Sequence, residues 1–377
     1  MKKIYYGKQT IQKDDIKEVV KVLKSDFLTT GPKVKEFEKA LCSYTNSKYC
    51  VCVSNATAAL HISSLLLLNE NDLVLTTPNS FLATSNAILY AKAKPVFVDI
   101  CEDGNINLDL CEKLLLENKN IKAIYVVHFS GNPVNQKKLA FLREKYDIKI
   151  LEDCAHSIGA VNNNIKAGSC KNSDISVFSF HPVKQLTTGE GGAILTNDKK
   201  IYEMALQLRN HGIELKSDIA PWHYEMNSLG YNYKLTDIAC ALGLSQLKKI
   251  EKFINKRRKI ANRYEKFFKK FEFIKPLYEF TFDSSYHLYV VLIDFEKYKI
   301  SKKDLFLKLR EKGIFLQYHY IPINQQAYYK NLGYGNENTP FMDDYYKKAI
   351  SLPIYPKLSK KEQNFVQDSI IEILEKG

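Results

Sequence analysis

One lysine of this chain stands in a setting that suits covalent chemistry with an aldehyde. Lys184 follows the apolar run DISVFSF and precedes a loop that contains Gly189, Gly191 and Gly192. Because glycine has no side chain, the backbone of such a loop can approach a bound ligand closely. An amine held there can form a Schiff base with an aldehyde. A loop lysine by itself is more often a solvated surface charge, so the interpretation depends on its neighbours.

Asp153 is the neighbour that gives Lys184 a chemical role. It ends the apolar run IKILED, 31 residues before Lys184. In a parallel sheet both residues would open on the same crevice at the strand ends. A carboxylate there can keep a pyridine nitrogen protonated while the lysine binds an aldehyde, and together they describe a pyridoxal 5'-phosphate site. The alternative for Asp153 is an N-cap of a helix over AHSIGA.

The phosphate of such a cofactor needs an anion site of its own. The stretch SNATAAL places small residues before a helix N-terminus at Thr57 and Ala58, where free amides point at an anion. Ser179, five residues before Lys184, offers a hydroxyl to the same group. The alternative is an ordinary turn between a strand and a helix.

Strands and helices alternate in the part of the chain that carries these residues. Apolar runs such as YCVCVS, KAIYVVHF and GAILTND are separated by helix-like segments, a pattern that predicts an α/β domain with a mostly parallel sheet. After about Thr236 one long charged helix leads into the β-rich stretch HLYVVLIDF and a terminal helix. We therefore predict a large cofactor-binding domain over residues 1–245 and a smaller α+β domain over residues 246–377.

Composition and charge narrow the class of protein. The 377 residues are 45% apolar and 26% charged, which is typical of a folded globular protein. Polar residues interrupt the richest apolar run, Ala58–Leu68, and the N-terminus lacks the apolar centre of a secretory signal, so we expect a cytoplasmic protein without a membrane partner. The eight cysteines show no Cys-x-x-Cys spacing, so we expect no metal. A net charge of +13 carried by scattered lysines favours attraction of small anions over nucleic-acid binding.

The order and wording of many segments resemble the nucleotide-sugar aminotransferases of the DegT/DnrJ/StrS type. The collinear segments are LTTGPKVKEFE, SNATAALH, PNSFLATSNAILYAKAKPVFVDI, VVHFSGNPVN, EDCAHSIGA, FSFHPVKQLTTGEGGA, LRNHGI and LGYNYKLTDIACALGLSQL. Each segment is weak or moderate alone, but the ordered set covers nearly the whole chain. The resemblance implies an aspartate-aminotransferase-like fold, which is fold type I of the pyridoxal phosphate enzymes, and a homodimer with active sites at the interface.

The resemblance also implies roles for single residues. Lys184 occupies the position of the Schiff-base lysine, and Asp153 that of the partner of the pyridinium nitrogen. Phe81 matches the aromatic ring stacked on the cofactor, and His156 falls where the family places a Gln or His beside that ring. The alternatives are a core position for Phe81 and a satisfied, non-catalytic histidine for His156.

The phosphate positions of the family are matched as well. Thr57, Ala58 and Ser179 correspond to phosphate-binding residues. Asn232, in GYNYKLTD, corresponds to an asparagine that reaches the phosphate from the neighbouring subunit. The alternative for Asn232 is a turn residue.

Several segments point to a particular substrate class. Some relatives carry histidine in place of the lysine and act as dehydratases, so Lys184 favours amino transfer. The segments HPVK, LRNHGI, QYHYIPINQQAYY and SLPIYP are most similar to enzymes that aminate C4 of a UDP-linked 4-keto-6-deoxy-N-acetylhexosamine on the route to pseudaminic acid, and the reaction implied takes the amino group from L-glutamate. His319 and Tyr320 are candidates for lining the sugar pocket.

Three alternatives stay open at this point. The chain could aminate another keto-sugar nucleotide, such as the bacillosamine precursor or a dTDP-sugar. It could be a cofactor-binding regulator without turnover, because one fold hosts many functions. It could also bind nucleic acid, which would require a steep salt dependence.

Overall fold

Short strands alternate with helices along most of the chain, and the structure, a computed structural model, describes residues 3–298 and 300–376. The strands, in chain order, are β1 (Ile4–Tyr5), β2 (Tyr49–Val53), β3 (Leu73–Thr76), β4 (Lys94–Phe97), β5 (Ile121–Val127), β6 (Lys149–Asp153), β7 (Val161–Asn162), β8 (Ile165–Lys166), β9 (Ile175–Ser179), β10 (Gly192–Thr196), β11 (Ile213–Leu215), β12 (Tyr224–Met226), β13 (Ile274–Pro276), β14 (Tyr289–Ile293), β15 (Ile314–Phe315) and β16 (Ala349–Leu352).

The helices pack on both sides of these strands. In chain order they are α1 (Lys13–Leu23), α2 (Pro32–Thr45), α3 (Ala56–Leu67), α4 (Leu82–Tyr90), α5 (Leu108–Glu117), α6 (Gln136–Tyr146), α7 (Lys199–Arg209), α8 (Asp237–Leu247), α9 (Ile250–Phe268), α10 (Lys302–Glu311), α11 (Ala327–Asn331), α12 (Pro340–Lys348) and α13 (Lys360–Lys376). In the part of the chain that the structure describes, no helix has the length and apolar character that crossing a membrane requires.

The largest sheet carries the candidate residues. Within the described residues, it contains seven strands in the order β2-β10-β9-β6-β5-β3-β4. β10 runs antiparallel to both of its neighbours, and the pairs from β9 to β4 are parallel. Most residues of these strands are buried because helices cover both faces, which explains why the strands read as nearly continuous apolar runs. The predictions of an α/β fold and a mostly parallel sheet are confirmed.

The C-terminal part is built around a second, smaller sheet. Strands β13, β14 and β16 form an antiparallel sheet, and the terminal helix α13 packs against α9 and α10. The N-terminal strand joins this part, because β1 pairs in parallel with β15 and Ile4 is buried in the same apolar cluster. The division into domains at residue 245 stays a prediction.

The prediction of a single long helix after Thr236 is wrong, because the structure has two helices there. α8 is apolar and packs against α1 and α2, whereas α9 is amphipathic and packs against β13 and α13. The two helices therefore face different neighbours, and the chain turns at Lys249. The ammonium of Lys249 lies 2.7 Å from a carboxylate oxygen of Asp14 and 2.6 Å from one of Asp15, beside α1.

Candidate active site

A cleft of about 1100 Å³ opens at the carboxyl ends of the central strands. Apart from Asn232, every residue predicted for the site lines it, namely Thr57, Ala58, Phe81, Asp153, His156, Ser179, Lys184, His319 and Tyr320. Strands β5, β6 and β9 end at this cleft, and residues 317–321, which follow β15, line it as well. The sequence prediction of one crevice at the strand ends is confirmed.

Asp153 is held rigidly at the end of β6. Its strand pairs in parallel with β9, which places Asp153 opposite Val177. One carboxylate oxygen accepts a hydrogen bond of 2.7 Å from the Thr84 hydroxyl, and the other accepts one of 3.0 Å from the Ala155 amide. Since each carboxylate oxygen can accept two hydrogen bonds, capacity remains for a further donor. Residues 155–159 form turns and, among the described residues, no helix directly follows Asp153, so the alternative of a helix N-cap is wrong.

Lys184 enters the same cleft from the loop after β9. In the parts of the chain that are described, its Nζ has no hydrogen bond or ion pair. Burial lowers the pKa of Lys184 to about 8; Asp153 opposes this effect and the positive charge of Arg257 adds to it. About a tenth of the amine would therefore be uncharged at pH 7, far more than for a lysine of ordinary pKa, and the uncharged form is the one that a nucleophile or general base requires.

The N-terminus of α3 forms one wall of the cleft. Asn55 caps the helix, and its side-chain oxygen accepts a hydrogen bond of 2.8 Å from the Ala58 amide. The amides of Ala56 and Thr57, at the first two helical positions, have no intrahelical acceptor. The structure therefore leaves those two amides for an anion, while the Ala58 amide is already engaged by Asn55. Phosphate roles for Thr57, Ala58 and Ser179 stay predictions.

Gly192 sets the position of this helix terminus. A Cβ atom at Gly192 would lie 2.6 Å from the carbonyl carbon of Asn55 and 2.7 Å from the nitrogen of Ala56. The sequence predicted that this glycine lets backbone approach a bound ligand. In the structure it lets β10 approach the protein's own turn, so its contribution to the cleft is indirect.

His156 and Tyr320 form a hydrogen-bonded pair across the cleft. The Nε2 atom of His156 lies 3.1 Å from the Tyr320 hydroxyl. The Nδ1 atom is buried and has no partner within the described residues. His156 is thus only half satisfied, which favours the functional interpretation over the alternative of a satisfied histidine. Burial first, and then the charge of Lys184, lower the pKa of His156 well below its ordinary value.

Two further buried histidines stand beside this pair. The ring of His287 lies 4.3 Å from that of His156, and Nδ1 of His319 lies 2.8 Å from the Ser351 hydroxyl. Burial and the charge of Lys184 lower the pKa of His319 to about 3 and hold that of His287 well below its usual range. The cleft is therefore lined by neutral imidazoles.

Phe81 and Asn232 are both exposed, in different settings. Phe81 lies directly before α4 with 59% of its surface exposed, and its ring centroid is 6.2 Å from that of Tyr320. The alternative of a core position for Phe81 is wrong. Asn232 lies outside the cleft of its own chain, and its side-chain oxygen accepts a hydrogen bond of 2.7 Å from Lys234. Its predicted role toward a neighbouring subunit stays a prediction.

Sequence reasoning missed several residues of the site. Thr84 orients Asp153 from α4, and His287 and Tyr6 line the cleft from segments distant in sequence. His61 lines it too, with its Nδ1 atom 3.2 Å from the Tyr233 hydroxyl. No spacing in the sequence marks these residues, because tertiary packing alone brings them to the cleft.

The side chains of the cleft fit pyridoxal phosphate. The site combines an amine of lowered pKa, a fixed carboxylate with free accepting capacity and an exposed aromatic ring at Phe81. The helix start at Thr57 offers amides for a phosphate. The unpartnered Nδ1 of His156 leaves a buried polar atom that a bound group could contact.

Fold and site together define an aminotransferase. The sequence profile of the DegT/DnrJ/EryC1/StrS aminotransferase family matches residues 9–371. The chain belongs to this family, and the predicted aspartate-aminotransferase-like fold and family resemblance are confirmed.

Relatives align over almost their full length. A UDP-4-amino-4,6-dideoxy-N-acetyl-beta-L-altrosamine transaminase of Campylobacter jejuni is 42% identical over 373 residues, which are 98% of this chain and 97% of the relative. The solved structure of Helicobacter pylori PseC, an aminotransferase involved in the biosynthesis of pseudoaminic acid, superposes with a TM-score of 0.94 at 34% identity and covers 100% of both chains. The PLP-form of Spr1654 from Streptococcus pneumoniae, a putative sugar aminotransferase, superposes with a TM-score of 0.91 at 30% identity over 100% of this chain and 99% of the other.

Proposed function

We propose that the chain transfers an amino group from L-glutamate to C4 of a UDP-linked 4-keto-6-deoxy-N-acetylhexosamine in pseudaminic acid biosynthesis, with pyridoxal 5'-phosphate as cofactor. The observation that carries this proposal is the pairing of the Lys184 amine with the fixed Asp153 carboxylate in one cleft. The similarity to an altrosamine transaminase over nearly the whole chain supports the substrate class. The PLP-form of a related structure supports the cofactor.

Asp153 would hold the proton on the ring nitrogen of the cofactor. When bound, pyridoxal phosphate supplies an electron sink for the carbanion character that develops at the reacting carbon. The sink is effective while the ring nitrogen stays protonated, and the Asp153 charge favours that state. Thr84 and Ala155 fix the carboxylate through hydrogen bonds, so little reorganisation is needed during the reaction.

Lys184 would move the protons. In the first half-reaction its Nζ would take the proton from the α-carbon of the amino donor and pass it to the bound cofactor, and in the second it would take a proton from the cofactor and deliver it to C4 of the sugar. Both directions need an amine that titrates near the working pH, and burial gives Lys184 a pKa of about 8.

The histidines and Tyr320 would bind and orient rather than carry charge. His156 and His319 stay neutral at ordinary pH because their pKa values are lowered by burial. A neutral imidazole can still donate or accept a hydrogen bond. His156 would thus contact the cofactor, while His319 and Tyr320, which line the cleft, would contact the sugar.

The active form would be a homodimer with shared sites. Asn232 lies outside the cleft of its own chain and is exposed, as expected of a residue that serves the neighbouring subunit. The hairpin β11–β12, which precedes Asn232, carries exposed apolar side chains such as Trp222 and Met226. Burial of these side chains in a subunit interface would remove apolar surface from water.

A panel of 4-keto nucleotide sugars tests the proposal. The purified protein is incubated with glutamate and each sugar, and any amino sugar is identified by NMR. We expect UDP-2-acetamido-2,6-dideoxy-β-L-arabino-hex-4-ulose to be aminated at C4. The C5 epimer of D-xylo configuration, the bacillosamine precursor, should react more slowly, because one misplaced methyl group typically costs about 1 to 3 kcal/mol.

The same panel separates the alternatives. Faster reaction of the D-xylo sugar or of a dTDP-sugar would reject the pathway and keep the aminotransferase. Absence of any product with every sugar, together with retained cofactor binding, would favour a regulator without turnover. The Lys184→Ala variant is the control, since it should bind sugar and form no product.

A further inference from the structure

A buried arginine outside the cleft forms hydrogen bonds with segments that carry cleft residues, including the loop of Lys184. Arg257 of α9 is only 1% exposed. Among residues 3–298 and 300–376 no carboxylate lies within ion-pair distance of its guanidinium. A buried charge without a counter-ion is costly unless hydrogen bonds compensate for the lost water. The hydrogen bonds of Arg257 therefore show which segments the buried charge stabilises.

All of the acceptors of Arg257 are main-chain carbonyls. One guanidinium nitrogen donates to the carbonyl oxygens of Ile354 at 2.9 Å, His287 at 3.2 Å and Tyr286 at 3.3 Å. The second terminal nitrogen donates to the carbonyl oxygen of Val183 at 3.3 Å, and the buried Nε has no partner within the described residues. Arginine suits such a site because its planar guanidinium presents donors in several fixed directions.

Two of these four carbonyls belong to residues that line the cleft. Val183 directly precedes Lys184, and His287 contacts the ring of His156. Val183 and His287 also line the cleft themselves. Arg257 thus connects the loop that follows β9 and carries Lys184, here called the lysine loop, with the segment that leads into β14.

We propose that Arg257 is a positioning residue that fixes the Lys184 loop against the His287 segment and acts on the amine of Lys184 through its buried charge. The inference rests on the proposed role of Lys184. The charge has a consequence for the reaction, because a cation near Lys184 disfavours a second positive charge there. Burial, and to a smaller extent Arg257, lower the pKa of Lys184, against the effect of Asp153.

The neighbouring arginine provides a matched control. Arg258 is partly exposed and also donates to a main-chain carbonyl, that of Ser284, at 3.0 Å. Neither Arg258 nor Ser284 lines the cleft. If loss of any arginine from α9 causes the effect, Arg258→Met should show it too. If the effect depends on contact with the lysine loop, only the Arg257 variants should show it.

Two measurements on the full chain, freed of cofactor, test the proposal without any sugar substrate. The first is the pH midpoint for acylation of Lys184 by trace acetic anhydride, read by mass spectrometry. The second is amide hydrogen exchange of residues 181–188. Arg257→Met should raise the Lys184 midpoint by about half to one pH unit, the size of one charge–charge interaction in a partly solvated site. Arg257→Lys should keep the midpoint near wild type.

Hydrogen exchange tests the positioning role. Both Arg257 variants should speed exchange in residues 181–188 by about fivefold or more, because the loop loses its anchor, and Arg258→Met should not. An unchanged midpoint in Arg257→Met, or exchange no faster than in Arg258→Met, would overturn the proposal. If Arg257→Met does not fold, exchange in Arg257→Lys decides alone. A negative result would reject the role of Arg257 and would not affect the proposed amino transfer by Lys184, which the sugar panel tests separately.

Discussion

Two consecutive carboxylates at the end of β6 have different tasks. Glu152 is 3% exposed and accepts hydrogen bonds from His128, Gln136, Ser173 and Ser176. Burial would raise its pKa, but these donors outweigh burial and lower the pKa of Glu152 to about 2. Asp153 points to the opposite side of the strand and keeps accepting capacity toward the cleft. We infer that Glu152 stabilises the fold and that Asp153 serves the chemistry.

Substitution of these carboxylates separates rate from stability. Asp153→Asn keeps shape and removes charge, so kcat should fall about a hundredfold, equivalent to roughly 2.7 kcal/mol of barrier, with little change in the thermal midpoint. Glu152→Gln is the control and should show the opposite pattern, because it weakens a buried network. Turnover and thermal unfolding are measured for both. Near-normal turnover of Asp153→Asn would contradict the electron-sink role.

His319 should make the folded state sensitive to acid. Its pKa is about 3 in the folded protein and about 6.5 in an unfolded chain. The unfolded chain therefore takes up a proton below pH 6.5 that the folded chain does not, and stability falls as pH decreases from about 6.5 toward about 3. His319→Gln, which keeps an acceptor for Ser351, should flatten this decline by up to about 1.4 kcal/mol per pH unit. Urea unfolding at several pH values measures it, and equal slopes in both proteins would show that the prediction is wrong.

At the scale of elements, the sequence predicted the strands and helices that depend on local hydrophobic pattern. The apolar runs that end at Asp153 and before Lys184 became neighbouring parallel strands, because buried strands and their helical connections have distinct periodicities. The break between α8 and α9 was not predictable, because Lys248 and Lys249 include no helix-breaking residue and the turn depends on partners in α1. For the same reason no pattern marked His287 as a cleft residue.

The N-terminus of α3 should be sensitive to Gly192. In Gly192→Ala the new methyl group would clash with the backbone of Asn55 and Ala56, which must move the helix start that offers amides to the phosphate. We expect a lower thermal midpoint and about tenfold weaker binding of pyridoxal phosphate, measured by fluorescence titration. Gly333→Ala is the control, since its φ of +93° imposes strain but no atom lies within 4 Å of the new Cβ. Equal loss of affinity in both variants would show that the effect is not local to α3.

At the scale of the molecule, the cleft joins parts of the chain that are far apart in sequence. The N-terminal residue Tyr6, the strand ends of the large sheet and the His319 segment all line it. The formal charge of +13 suits a ligand that carries a diphosphate. Attraction of anions stays a prediction from composition, whereas the position of Asn232 outside the cleft of its own subunit is seen only in the folded chain.

Subunit mixing tests whether sites are shared. Lys184→Ala and Asn232→Ala should each be inactive alone. In a mixed dimer, one site would combine Lys184 from one subunit with Asn232 from the other, so random mixing should restore up to about a quarter of wild-type activity. Activity after mixing by mild unfolding and refolding is compared with that of each variant treated alone. Absence of recovery in verified heterodimers, or full activity of a monomer, would reject the shared site.

The central claim is that Lys184 is the residue that binds the cofactor and moves protons, and borohydride reduction tests it most directly. The purified protein loaded with pyridoxal phosphate is reduced, digested and mapped by mass spectrometry. The cofactor should be found covalently attached to Lys184, and the Lys184→Ala variant should carry no adduct and form no amino sugar. An adduct on any other lysine of the wild-type protein, or undiminished turnover of Lys184→Ala, would contradict the account.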